Sequence, residues 1–259
     1  TLGEIYINDA FSCSHREQAS IHKITKYIKQ CYAGPLLKTE VEAIDSVVKN
    51  KKKPVTCIIG GSKISTKINI ILNLIQNVDN IIIVGAMANN FLAYKGLEIG
   101  KSLVEEGSKK IIEKIYSELE NSNCKIIIPN DCSVSEKFEG MALEKKIDDI
   151  KKEEMILDIG KATIKAIVDI IQKSNTVLWN GPAGYFENEN FANGTNAIAK
   201  KISENTINNS LISILGGGDT ISAVNKIEKK LTFTHLSTAG GAFLEYLEGK
   251  DLPGLSVLK

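Results

Sequence analysis

Apolar residues in this chain gather into short continuous runs at 55–59, 81–84, 125–128, 155–159, 176–179, 211–215 and 234–236. The segments between them, 64–75, 87–94, 103–119, 161–172, 191–203, 220–229 and 239–247, carry apolar residues at helical spacing instead. A run without polar alternation belongs to a strand buried on both faces. Such strands alternating with helices predict an α/β fold: a doubly wound parallel sheet, Rossmann-like, with helices on both sides. The stretch 138–154 is polar and reads as loop-rich.

Residues 1–50 break the rhythm. Segment 4–8 reads as a short strand and 8–20 as a polar stretch holding His15 and Arg16. A helical pattern then runs to about Tyr32. Ala33-Gly34-Pro35 stops it, since Gly ends helices and Pro cannot continue them. Helical spacing resumes over 36–48 through Leu37, Val41, Ile44 and Val48, so a domain boundary is expected near Gly34 to Leu36.

Composition mostly excludes. A net charge of +1 with 43% hydrophobic residues gives no electrostatic case for nucleic acid or an anionic membrane. No apolar run approaches the ~20 residues of a spanning helix, and no signal-peptide pattern opens the chain. Cys13, Cys31, Cys57, Cys124 and Cys132 are scattered without zinc spacing, as expected of reduced thiols in a cytoplasmic protein. The chain starts at Thr1 inside what reads as running structure, which suggests a fragment.

The candidate chemistry lies at the strand ends. GGSKISTK (60–67), GAMANNF (85–91), NGPAGYFE (180–187), GGGDT (216–220) and STAGGA (237–242) all follow predicted strands. That edge of a doubly wound sheet is where ligands bind. In GGGDT the glycines let phosphate oxygens approach backbone N–H groups at a helix start. Asp219 repels phosphate unless a divalent cation such as Mg²⁺ lies between them; the alternative is a plain turn with Asp219 as helix N-cap. Lys63 and Lys67, four apart, are expected on one helix face where two ammonium groups could cover a polyphosphate, or they form an ordinary solvated face. Glu187 could accept from ribose hydroxyls or be an exposed charge at a helix start. Asp131 faces the same edge or serves a turn. His15 reads as a structural histidine, and His22 and His235 as incidental. Neither a P-loop nor GxGxxG is present, which disfavours a Rossmann oxidoreductase.

Taken with INDAFSCSHREQAS (7–20) and the run from Ser237 through LEYLEGKDLPG, these turns resemble phosphoglycerate kinase in order and spacing, over essentially the whole chain. The resemblance implies Mg²⁺-dependent transfer of a phosphoryl group between 1,3-bisphosphoglycerate and ADP, giving 3-phosphoglycerate and ATP. By matched position, Arg16 would bind the glycerate phosphate. Lys63 would lie near the transferred phosphoryl, with Gly240 and Gly241. Lys67 would hold nucleotide phosphate, Glu187 the ribose, and Gly217, Gly218, Asp219 and Thr220 the phosphate and magnesium. It further implies that 1–35 is a remnant of the N-terminal, glycerate-binding lobe and 36–50 a hinge helix. Residues 51–248 would form the nucleotide lobe, and 249–259 a segment returning to the first lobe and exposed here. Val84, Ala86 and Ala239 stand where many members have glycine. Most of the family's glycerate-binding residues lie upstream of this sequence.

Two functions follow from the resemblance: a phosphoglycerate kinase, monomeric at full length, or a module that binds ADP or ATP without turnover. For the chain as it stands, nucleotide binding with little or no transfer is expected.

Overall fold

The computed structural model describes residues 3–209, 211–227 and 229–258. Thr1, Leu2, Ser210, Glu228 and Lys259 lie outside the described residues; the outer ends of the first and last expected segments and one position of the helix expected over 220–229 fall there.

A small parallel pair, β1 (Ile5–Asn8) and β2 (Gln30–Ala33), precedes the long helix α1 (Pro35–Val48). Then come β3 (Val55–Ile59), α2 (Ile68–Ile75), β4 (Asn80–Ile83), α3 (Ala86–Tyr94), α4 (Ser108–Leu119) and β5 (Lys125–Ile127). A second small sheet is built from β6 (Asp131–Ser135), β7 (Leu143–Lys146) and β8 (Met155–Ile159). The chain continues through α5 (Lys161–Lys173), β9 (Thr176–Asn180), α6 (Asn193–Asn209), β10 (Ile212–Gly216) and α7 (Gly218–Asn225). It ends with β11 (His235–Ser237), α8 (Gly241–Leu247) and α9 (Pro253–Ser256).

The main sheet is parallel, in the order β11-β10-β9-β3-β4-β5. Every residue of β3 and β9 is buried, as an unalternating apolar run requires. The pleat still splits them between two cores. Val55, Cys57 and Ile59 pack with α1, α2, α4 and α8, whereas Ile58 packs with α5 and α6 on the other face. Helices therefore cover both sides, and the expected doubly wound α/β architecture is present.

Two expectations fail, and one stretch holds an element the sequence did not announce. Where a helix was expected to reach Tyr32, the chain makes two 3-10 turns, Phe11–Cys13 and Lys23–Lys26, and then β2, whose register runs from Gln30 opposite Ile5 to Ala33 opposite Asn8. That stretch has no continuous apolar stripe to bury, so strand pairing satisfies its backbone instead. The stretch 138–154 is mostly irregular, as expected, and also holds β7, a short strand of the antiparallel sheet β7-β6-β8. β7 reads LEKK and is an exposed edge, so its pairing leaves no hydrophobic pattern. The C-terminal segment, expected to be exposed, is docked. Leu252 and Gly254 are buried, Gly254 N–H donates to Ser14 O at 2.8 Å, and Asn8 Nδ2 donates to Gly254 O at 3.1 Å. Among the described residues no helix is long and apolar enough to cross a membrane.

Candidate functional site

β3 leads through α2 to β4 and β5, while β9 leads through α6 to β10 and β11, so the winding reverses between the neighbours β3 and β9. Such a reversal opens a crevice at the carboxyl ends of the strands. Here the two central turns lock backbone to backbone. Gly60 N–H donates to Asn180 O at 2.9 Å. A side chain on Gly60 would strike Pro182 O, and one on Gly181, whose φ is +104°, would strike Gly60. Only glycine meets both conditions.

Around that lock a polar chain ties three turns together. Lys67 Nζ donates to Gly60 O at 2.7 Å, to Asn180 Oδ1 at 2.5 Å and to Asn180 O at 3.3 Å. Asn180 Nδ2 donates to Gly216 O at 2.7 Å. Thr220 Oγ1 also donates to Gly216 O, at 2.9 Å, and accepts from Gly181 N–H at 2.7 Å. Burial pushes the Lys67 ammonium down to about 8, against the pull of the Asp219 carboxylate. Lys67 is thus a cation held in carbonyl oxygens at the crevice.

The expected pairing of Lys63 and Lys67 on a helix face is not found. α2 starts only at Ile68, with Lys67 at its boundary, and Lys63 sits exposed in the preceding turn. The close approach of Gly60 to Gly181 is followed by a turn that takes up residues 61–67 before a helix can begin.

Asp219 lies in the first turn of α7, whose N-cap is Gly217 at φ +96°, so its carboxylate is not consumed as the cap. It is exposed and has no hydrogen bond or ion pair to another described residue. Gly218 beside it is exposed with open space around its Cα. Thr220 is fully buried and its hydroxyl is already used, so it positions the turn rather than offering a side-chain ligand.

Asp219 and Glu187 stand at a cavity of about 250 Å³. Its apolar walls come from β8 (Met155, Leu157), the loop before α4 (Leu103) and the turn after β9 (Pro182, Tyr185). Phe138, carried by the β6–β7 connection, packs edge-on against Tyr185 with ring centroids 5.3 Å apart. Asn188 Nδ2 holds that connection through Phe138 O at 2.7 Å. Asp158, which also lines the cavity, accepts from Ile159 N–H and from Gly194 N–H, each at 2.8 Å. Its burial nevertheless lifts the carboxyl to about 7.

Arg16, Gly240 and Gly241 do not line this cavity. They meet elsewhere: Arg16 Nε donates to His15 Nε2 at 3.4 Å, and that nitrogen lies 3.1 Å from where a Gly241 side chain would begin. Arg16 is the chain's single arginine. His15 Nδ1 is buried without a partner, so the histidine is only half satisfied. Asp131 serves a turn: its carboxylate accepts from the N–H groups of Ala162 and Thr163 at 2.8 and 2.7 Å, capping α5. Sequence reasoning missed Asn89, Phe138, Tyr185 and Asp158. Asn89 and Tyr185 lie inside turns already singled out, 85–91 and 180–187, and Asp158 left a trace as one carboxylate inside an apolar run; Phe138 left none.

A family model described as phosphoglycerate kinase matches residues 1–250. A phosphoglycerate kinase from Ruegeria pomeroyi is 46% identical over 259 residues, covering 99% of this chain and 65% of that relative. One from a Wolbachia of Drosophila simulans is 42% identical, covering all of this chain and 65% of the relative. The structure of phosphoglycerate kinase from Coxiella burnetii superposes with a TM-score of 0.94 at 39% identity, over 99% of this chain and 65% of that one. The Pyrococcus horikoshii enzyme gives 0.80 at 29% identity, over 98% and 64%. The chain thus spans about 65% of the length of the relatives it matches.

Proposed function

The chain belongs to the phosphoglycerate kinase family, and on that premise we propose that its sheet-edge crevice holds Mg-ADP or Mg-ATP for phosphoryl exchange with 1,3-bisphosphoglycerate or 3-phosphoglycerate in the cytoplasm. One observation carries the reading: an apolar cavity at the winding reversal opens past Glu187 and Asp219, with the partly buried Lys67 ammonium in the crevice beside it. An apolar slot for a base leading to charges suited to phosphates is the layout a nucleotide needs.

On this reading Lys67 offsets phosphate charge, Glu187 accepts from the ribose, and the exposed backbone at Gly217 and Gly218 receives phosphate oxygens. Asp219 suits a magnesium ion: a free carboxylate supplies one hard oxygen, and the nucleotide and water supply the rest. Among the described residues no group of three or more His, Cys, Asp or Glu gathers, which fits a cation carried largely by its nucleotide. The ion would neutralise phosphate charge. In the transfer, a terminal ADP oxygen attacks the phosphorus of the acyl phosphate. The acyl O–P bond breaks, and its electron pair leaves with the carboxylate. The chain's task is alignment and charge stabilisation. Arg16, Lys63, Gly240 and Gly241 belong to the glycerate and transfer side.

Residues 1–35 are then part of the glycerate lobe, 36–50 the hinge helix, 51–248 the nucleotide lobe, and 249–259 the segment returning to the first lobe. The bonds from Gly254 to Ser14 and Asn8 support that return. A second reading is nucleotide binding by this chain without turnover. Calorimetric titration with Mg-ADP, followed by an assay of ATP formation from 1,3-bisphosphoglycerate, separates the two. Robust turnover by this chain refutes the module. Absence of ADP binding, with Asp219→Ala indistinguishable from the unaltered chain, refutes the site.

A further inference from the structure

Two successive asparagines in α3 are treated differently. Asn90 is satisfied: its Oδ1 accepts from Glu105 N–H at 2.8 Å and its Nδ2 donates to Met87 O at 3.2 Å. Asn89 is 1% exposed and lines the cavity. Its Nδ2 donates to Leu103 O at 3.1 Å. A carbonyl oxygen only accepts, so this bond fixes which end of the amide is nitrogen. The other end, Oδ1, is buried with no partner. Buried acceptors without a donor are uncommon and call for an explanation.

The neighbouring polar groups are already used. Ser102 Oγ donates to Ile99 O and accepts from Ile156 N–H at 2.8 Å. Both Asp158 oxygens accept backbone N–H groups. Asn89 Oδ1 is therefore a spare acceptor beside apolar walls from Leu103, Met155 and Leu157.

Resting on the reading of this cavity as a nucleotide site, we propose that Asn89 Oδ1 accepts from the exocyclic amino group of the base and so selects adenine over an oxo-purine. An amino group supplies the missing donor. An oxo group at the same ring position sets two acceptors against each other. Asn89 acts as a specificity determinant and takes no part in the transfer.

The test compares Mg-ADP, Mg-IDP and the N6,N6-dimethyl analogue of ADP by calorimetry, on the unaltered chain and on Asn89→Leu. IDP carries oxygen in place of the amino group, and the dimethyl analogue lacks its donor hydrogens. The expected result is about tenfold tighter binding of ADP than of either analogue, in line with one hydrogen bond in a dry site. Asn89→Leu should bind all three alike while still melting cooperatively. ADP and IDP binding the unaltered chain within twofold of each other would overturn the proposal, and this arm needs no variant to fold. So would a preference that survives in Asn89→Leu. Binding of none of the three overturns the nucleotide reading itself, and the selectivity with it.

Discussion

Asn180 joins Lys67 to the far side of the crevice: its Oδ1 accepts from the Lys67 ammonium at 2.5 Å while its Nδ2 donates to Gly216 O at 2.7 Å. The residue is 4% exposed, so neither bond is replaced by water when it is lost. Asn180→Leu keeps the approximate volume but strands the Gly216 carbonyl and weakens the hold on Lys67. A stability loss of about 1–3 kcal/mol is expected. ADP affinity should fall with it, because Lys67 is no longer aimed. Urea unfolding and ADP titration of the same preparation check both; unchanged affinity would separate Asn180 from the site.

Lys67 also makes stability depend on pH. Its ammonium titrates near 8 in the folded chain, against 10.5 ordinarily. Between those values the unfolded chain holds a proton that the folded chain has released, so stability rises with pH across that window. The gain is on the order of 3 kcal/mol from a shift of this size. Lys67→Met removes it. Urea midpoints of the two proteins from pH 7 to 10.5 should diverge, the unaltered chain climbing relative to the variant. Parallel curves would mean that the buried ammonium is not strained.

Two glycines in adjoining turns should answer differently to the same methyl group. At Gly181 an added side chain meets the Gly60 backbone, and φ is +104°. Gly181→Ala is expected to lose more than about 3 kcal/mol, since two backbones have to separate. At Gly218 nothing lies within 4 Å. Gly218→Ala should leave the melting temperature nearly unchanged yet weaken ADP, because the methyl group occupies the space proposed for a phosphate. Thermal melts and calorimetry on both variants give four numbers. Equal effects on melting contradict the contrast.

The main sheet was legible because its central strands are buried on both faces, so they leave near-continuous apolar runs such as Val55–Ile59. The site turns were legible because glycines and charges recur at one end of those runs. What stayed hidden was whatever is fixed by pairing or by long-range contact. β7 is an edge whose LEKK carries no burial pattern, so the wall residue Phe138 was lost with it. His235 looked incidental, yet its Nε2 lies 3.0 Å from Glu40 Oε2, joining β11 to α1. Lys63 and Lys67 are four apart, but spacing implies a shared face only where a helix exists, and the glycine lock delays α2 past both. Asn89 could not be separated from Asn90 in sequence; only the two hydrogen-bond environments divide them.

Asp158 gives the opposite pH slope to Lys67. Burial lifts its carboxyl to about 7, although the N–H groups of Gly194 and Ile159 both favour the charged form. Its ordinary value is 3.8, so from about pH 4 to 7 the folded chain keeps a proton that the unfolded chain has lost. Stability from this group is complete below that window and declines as pH rises through 7. A side chain on Gly194 would collide with it, and Tyr185 N–H bonds the adjacent Leu157 O at 2.7 Å, so its charging acts on the cavity wall. Asp158→Asn carries no charge at any pH in this range. The difference in unfolding free energy between the two proteins should shift toward the variant by a few kcal/mol between pH 4 and pH 8, the order expected for a shift of this size. ADP affinity should follow the same profile in the unaltered chain and lose it in the variant. A difference that stays constant with pH would show that the carboxyl is ionised in the folded state throughout, and that Asp158 serves only as a cap for α6.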